Sequence, residues 1–157
     1  GNIYRFYPSK IDIAEAMTRR FSAENNAAYA NIIRDSAKSP SRKLSEFFNA
    51  RLERTFRIFE KNPKLMELAE IMGRERPDFL AEERAQERIL IEKILEDGAK
   101  SGDFALTENL AITADLVQCA MMKFRIPHLW TTEQLVSLRI ELEGVLHLIF
   151  TGLSARR

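Results

Sequence analysis

In the stretch Ser41-Arg-Lys-Leu-Ser-Glu-Phe-Phe-Asn-Ala-Arg-Leu-Glu-Arg-Thr-Phe-Arg-Ile-Phe-Glu-Lys61, the residues Leu44, Phe47, Phe48, Leu52, Phe56 and Phe59 recur at steps of three and four. Arg42, Glu46, Glu53 and Lys61 fall between them, so the spacing predicts an amphipathic helix with an aromatic-rich face. The same period continues on both sides, and proline marks its interruptions. Pro8, Pro40, Pro63, Pro77 and Pro127 all lie between periodic stretches, where a ring lacking an N–H is tolerated at a helix start. An all-α fold is therefore expected.

Upstream, Ser9-Lys-Ile-Asp12 has the form of a capping box, opening a helix that runs to about Asp35. Ser39-Pro40 opens the next. Downstream, Asn62-Pro63 predicts a cap with proline at the first helical position, then a short helix through Leu65, Leu68, Ala69 and Met72 that ends by Gly73. Pro77 opens a longer helix through Phe79, Leu80, Ile91, Ile94 and Leu95, stopped by the segment Gly98 to Gly102. Two more are expected, from about Thr107 to Arg125 and from about Thr132 to Leu153, the latter with a capping box at Thr131-Thr-Glu-Gln134.

On the final helix Leu135, Leu138, Leu142, Val145 and Ile149 follow the 3, 4, 3, 4 spacing of a bundle seam, and Leu146, Phe150 and Leu153 form a second row. The helix before it carries Leu110, Ala114, Val117, Met121 and Phe124 along one side. One row satisfies the chain's own core, and the other predicts a twofold dimer in which these last two long helices of each protomer make a four-helix bundle. The expected interface draws on Leu110, Val117, Leu135, Leu138, Leu142, Val145, Leu146, Ile149 and Phe150. The competing reading buries both rows within one monomer.

With 157 residues the chain has the usual size of one domain, enough to bury about two-thirds of its unfolded surface. Cys119 is its single cysteine, so an intrachain disulfide is excluded; the residue reads as a small buried hydrophobe, and the chain as soluble and cytoplasmic. No apolar run is long enough to span a membrane. Because the chain begins with Gly1, a piece of a longer protein is expected. Residues 1 to 57 hold 11 Lys/Arg against 6 Asp/Glu, whereas residues 58 to 157 hold 13 against 17, so the N-terminal end is the basic one.

At that basic end, Ile3-Tyr-Arg-Phe-Tyr-Pro-Ser-Lys10 resembles the end of the DNA-recognition helix and the start of the following helix in TetR-family transcriptional regulators. The turn Gly98-Ala-Lys-Ser-Gly-Asp-Phe104 and the closing Glu141-Leu-Glu-Gly-Val-Leu-His-Leu-Ile-Phe-Thr-Gly-Leu153 are similar to the same family, so the resemblance covers the whole chain. It implies that residues 1 to 8 are the remnant of a helix-turn-helix DNA-binding domain. Residues 9 to 157 would then form an effector-binding and dimerisation domain, with the helix from Ser9 to Asp35 connecting the two. By the same resemblance Tyr4 reaches the DNA backbone, Lys10 contacts phosphate, and Asn2 lies on the recognition helix. A lysine beside free helix N–H donors suits a phosphate oxygen. Phe6 departs from the commoner His or Tyr and Tyr7 from the commoner Phe; both keep an aromatic body, while Phe6 loses a donor. The chain by itself is not expected to bind operator DNA specifically, whereas the complete protein is.

No catalytic constellation is present: Cys119, His128 and His147 are scattered, and no Gly-rich phosphate loop occurs. An enzyme is not expected, nor a cofactor. Glu143 and His147 are four apart and lack a second pair, so no metal centre is expected. Glu82, Glu83 and Glu87, alternating with Arg84 and Arg88, read as a solvated helix face.

The resemblance also implies a small-molecule effector site, which the 10 Phe and 5 Met are suited to line. Its candidate walls are Phe47, Phe48, Arg51, Phe56, Phe59, Met66, Phe79, Met121, Phe124, His128 and Trp130, with Arg51 able to meet an acidic effector but read first as a surface residue. The expected function is transcriptional regulation by a homodimeric repressor that a small, largely apolar effector releases from operator DNA, with no membrane partner. A helical dimerisation or interaction module without a small-molecule site is the alternative, and an interior cavity with a polar wall distinguishes the two.

Overall fold

The computed structural model describes residues 9 to 154. Seven α-helices follow one another: α1 Lys10–Arg34, α2 Pro40–Lys61, α3 Leu65–Glu75, α4 Pro77–Ser101, α5 Leu110–Ala120, α6 Met122–Arg125 and α7 Leu135–Leu153, with a 3-10 turn at Pro127–Leu129. Among the described residues there is no named strand, and the one isolated bridge joins Phe104 to Ser154. The all-α expectation holds.

Local chemistry sets most of the boundaries. Ser9 caps α1, its hydroxyl accepting from Asp12 N at 3.3 Å and donating to the Asp12 carboxylate at 2.6 Å, so Asp12 reaches back to the Ser9 side chain. Ser39 caps α2 in the same way, with Pro40 at its first position, and Pro77 opens α4. Gly102 ends α4 at φ 79, in the left-handed conformation that glycine adopts without a Cβ penalty.

Three expectations need correction. Asn62 closes α2 rather than capping α3, which starts at Leu65 without a side-chain cap. The capping box at Thr131 to Gln134 is not formed, because Glu133 N bonds back to the Trp130 carbonyl and α7 starts only at Leu135. The helix expected from Thr107 to Arg125 begins at Leu110, capped by Asn109 accepting from Ile112 N at 2.8 Å, and it breaks at Met121. There φ −94, ψ 7 shifts the chain onto the short α6.

α2 is the central element, packed against α1, α4 and α7. Its Leu44, Phe47, Phe48 and Leu52 meet Ile91, Ile94 and Leu95 of α4, Ala114 and Val117 of α5, and Leu138, Leu142 and Leu146 of α7 in one buried cluster. Tyr29 of α1 joins it, its ring edge-on to Phe47 at 4.8 Å. A smaller cluster of Ala14, Met72 and Phe79 ties the start of α1 to α3 and α4. Among the described residues no helix is long and apolar enough to cross a membrane.

The α4–α5 link closes on α7 through Ala105 N and the Leu153 carbonyl at 2.7 Å, and Phe104 lies against Gly98. A Cβ at Gly98 would stand 2.1 Å from the Phe104 ring. Gly98→Ala is therefore expected to destabilise the chain by about 1 to 3 kcal/mol through overpacking, read as a lower Tm in a thermal melt. An unchanged Tm would show that this packing is loose.

Candidate functional site

Where α2, α4 and α6 converge, the interior is charged. Arg51 Nε lies 2.6 Å from Glu87 Oε2, and Arg125 on α6 pairs with the same oxygen. The side chains of Arg51, Glu87 and Arg125 are 16%, 11% and 19% exposed, which makes this a buried cluster. Gln118 of α5 donates from Nε2 to the Arg84 carbonyl at 2.9 Å and lies 3.4 Å from Glu87 Oε1. Both partners are acceptors, which fixes the amide and aims its oxygen elsewhere. Gln118 Oε1 and Arg84 Nε are buried without a hydrogen-bond partner.

Burial by itself would raise the Glu87 carboxyl, but the adjacent Arg51 and Arg125 charges, with hydrogen bonds from Gln118 and Arg51, hold it below the usual carboxylate range. Burial also lowers Arg125, reinforced by repulsion from Arg51. Tyr29, facing the same region, is pushed up to about 12 by burial.

Two clefts open on either side of this cluster and share Arg51, Glu87 and Arg125. The first holds about 10 Å³ of free space, room for one water, between Phe48 and Leu52 of α2, Arg84 of α4, Gln118 of α5, and Met121, Met122 and Phe124. The second, with about 70 Å³ of free space, is polar and reaches α1 through Phe21, Ser22, Asn25, Asn26 and Tyr29, with Thr55 and Glu83 opposite. Arg54 donates to Asn25 at 3.1 Å beside it. The break at Met121 is what places Phe124 and Arg125 here.

Of the expected effector residues, the structure brings Phe48, Arg51, Met121 and Phe124 to the first cleft. Arg51 is a buried ion-pair partner and not a surface arginine, because Glu87 offsets its desolvation. Phe47 is inside the core, Phe56 stacks on Trp130 at 5.6 Å, and Phe59 packs against the same core. Phe79 sits in the smaller cluster under the Arg19 guanidinium, Met66 is half-buried on α3, and His128 is exposed. Glu87 does not belong to a solvated face, and Cys119 is exposed where a buried hydrophobe was expected.

On the expected dimer helices, Val117, Leu138, Leu142 and Leu146 lie within the chain's own core, which leaves them no surface for a partner. Leu110, Leu135, Val145, Ile149 and Phe150 are half-buried against that core. The outward faces instead expose Ile112 and Leu116 on α5 and Val136, Ile140 and Leu148 on α7, the last 72% exposed. Lys10 is exposed in the first turn of α1. Asn2 and Tyr4, like the whole segment 1 to 8 with Phe6 and Tyr7, lie outside the described residues.

Residues 40–146 match the family described as "Tetracyclin repressor-like, C-terminal domain". The chain belongs to this family. As a tetracycline-repressor-like domain it is part of a transcriptional regulator, and solved structures share its fold. The ketosteroid transcriptional regulator of Mycobacterium tuberculosis is similar with a TM-score of 0.63 at 16% identity, covering 99% of this chain and 79% of that one. A bacterial regulatory protein of the TetR family from Rhodococcus RHA1 is similar at 0.62 and 17% identity, covering 100% and 80%. Among curated proteins none matches. The buried charges of this tetracycline-repressor-like domain were not legible as such, since the alternation of Glu82, Glu83 and Glu87 with Arg84 and Arg88 has the pattern of a surface helix.

Glu87→Gln leaves Arg51 and Arg125 without their counter-charge and is expected to cost roughly 3 to 4 kcal/mol at neutral pH, the lower part of the range for breaking a buried pair. Because the native carboxyl titrates below its unfolded value of about 4.3, its contribution is complete above that value and is lost as the pH falls through the lowered native one. Urea unfolding of both proteins at neutral pH and in acid should show the difference narrowing in acid. A difference that is absent at neutral pH would contradict the pairing.

Proposed function

We propose that this chain is the effector-sensing and dimerising part of a DNA-binding transcriptional repressor that a small molecule with an apolar body releases from operator DNA. The observation that supports the reading is the polar cleft of about 70 Å³ walled by α1, the helix whose first turn bears Lys10.

The mechanism is a population shift. α1 contacts the effector lobe through Asn25 and Tyr29, and its N-terminal half is tied to α4 by Arg19 and Glu82 at 3.3 Å and by Ser22 and Glu83, and to the α3–α4 junction by Asp12 and Arg76 at 2.7 Å. An effector that favours one seating of α1 over the other changes the spacing of two DNA-binding heads, by no more than its difference in affinity for the two states. Lys10, beside the free N–H groups of the first turn, is the phosphate contact, and Asn2 and Tyr4 are proposed to act at the DNA. Homodimerisation uses the outward faces of α5 and α7, where the exposed apolar residues Leu116, Ile140 and Leu148 suit an isologous four-helix contact.

Fluorescence anisotropy of the complete protein with DNA flanking its own gene tests this. Binding that resists unrelated competitor DNA and weakens steeply with salt is expected. Binding no tighter than to competitor, there and across an operator library, would contradict the regulator and favour the interaction module.

A further inference from the structure

Resting on the regulator reading, we infer that Arg76, at the corner between α3 and α4, is a positioning residue for DNA binding: it fixes the first turn of α1, and Lys10 with it, to the rest of the domain. Arg76 Nη2 donates to Asp12 Oδ1 at 2.7 Å, and the other oxygen of that carboxylate accepts from the Ser9 hydroxyl at 2.6 Å. Ser9 caps α1 and immediately precedes Lys10, so one carboxylate ties the entry of the helix to the corner. Arg76 Nε, shut off from solvent, lies 3.2 Å from Glu15 Oε2, three residues further along the same face of α1. A guanidinium fork that grips two carboxylates on one helix face opposes both rotation and sliding of that helix, where a single point charge would oppose neither.

The main chain of Arg76 joins the two helices behind it. Its N–H donates to the Met72 carbonyl at 2.9 Å and its own carbonyl accepts from Leu80 N at 3.2 Å, so a displacement of α3 or α4 moves the anchor of the guanidinium. Glu15 also holds Arg19 at 2.9 Å, and Arg19 reaches Glu82 of α4 at 3.3 Å while lying over the Phe79 ring at 4.6 Å. Asp12, Arg76, Glu15, Arg19 and Glu82 thus form one continuous ion-pair ladder along the seam between α1 and α4. The apolar cluster buried at this end of α1 is small, Ala14, Met72 and Phe79, so polar contacts matter more here than around the large core. A helix entry held in place leaves the two DNA-binding heads less to order when they meet their half-sites; releasing it weakens operator binding without removing a phosphate contact.

The test is fluorescence anisotropy of the complete protein on DNA flanking its own gene, over a salt series, for the parent, Arg76→Gln, Asp12→Asn and the double variant, with Tm measured alongside. Asp12→Asn is the milder change, because Ser9 still accepts from the backbone N–H of that residue, and it decides the matter if Arg76→Gln does not fold. Both single variants are expected to bind operator more weakly, Arg76→Gln by about fivefold or more, and the double variant no more weakly than Arg76→Gln, since both changes remove the same contact. The salt slope and the binding to competitor DNA should match the parent. Operator binding that is unchanged or tighter, even with a lower Tm, would make the ladder structural only and overturn the inference. So would fully additive losses, or shifts of opposite sign in the two single variants, which a plain charge effect on DNA would give because one removes a cation and the other an anion. A salt slope smaller by about one in Arg76→Gln would put Arg76 itself on a phosphate and overturn its positioning role. A parent protein that binds no tighter than to competitor would overturn the regulator reading beneath.

Discussion

A single carboxylate gripped by two guanidinium groups governs the interior of this chain. Glu87 on α4 can be buried only because Arg51 of α2 and Arg125 of α6 offset its desolvation, and each arginine can be buried only because Glu87 is there. That mutual requirement fixes how α2, α4 and α6 approach. Both clefts lie at this junction.

The apolar core supplies rigidity around that exception. α7 directs Leu138, Leu142 and Leu146 into the core it shares with α2, and its outer face, like that of α5, carries exposed apolar residues. α1 is attached differently: only Ala14, Asn25, Tyr29 and Ile33 are buried along its 25 residues, and polar contacts with α4 and the α3–α4 junction do much of the rest. Such contacts exchange partners at lower cost than packed apolar groups.

The sequence was informative where the cause is local. Ser9, Ser39, Pro40, Pro77 and Gly102 mark helix ends through capping, a fixed φ or a left-handed residue, and the structure places them so. The break at Met121 had no such signal, because Met121-Met122 contains neither proline nor glycine; the extended Ile126 before Pro127 is the nearest trace. Glu87 and Arg51 have the sequence signature of surface residues for a related reason. Their burial is decided by a partner far along the chain, while their own neighbours have the alternating charge of a surface helix. On α7 the period identified an apolar seam without saying which side faces the core; the residues beside that seam, Val136, Ile140 and Leu148, turned out to be the exposed ones.

Buried ion clusters are weak devices for stability, and an apolar replacement of similar volume is often neutral or better. This gives the central claim its sharpest test, which is urea unfolding of Glu87→Gln beside the combined replacement Arg51→Met, Glu87→Met and Arg125→Met. If the three groups are buried only by virtue of one another, the triple variant should be clearly more stable than Glu87→Gln, in which two guanidinium groups stay buried without their counter-charge. A triple variant less stable than Glu87→Gln would contradict the account.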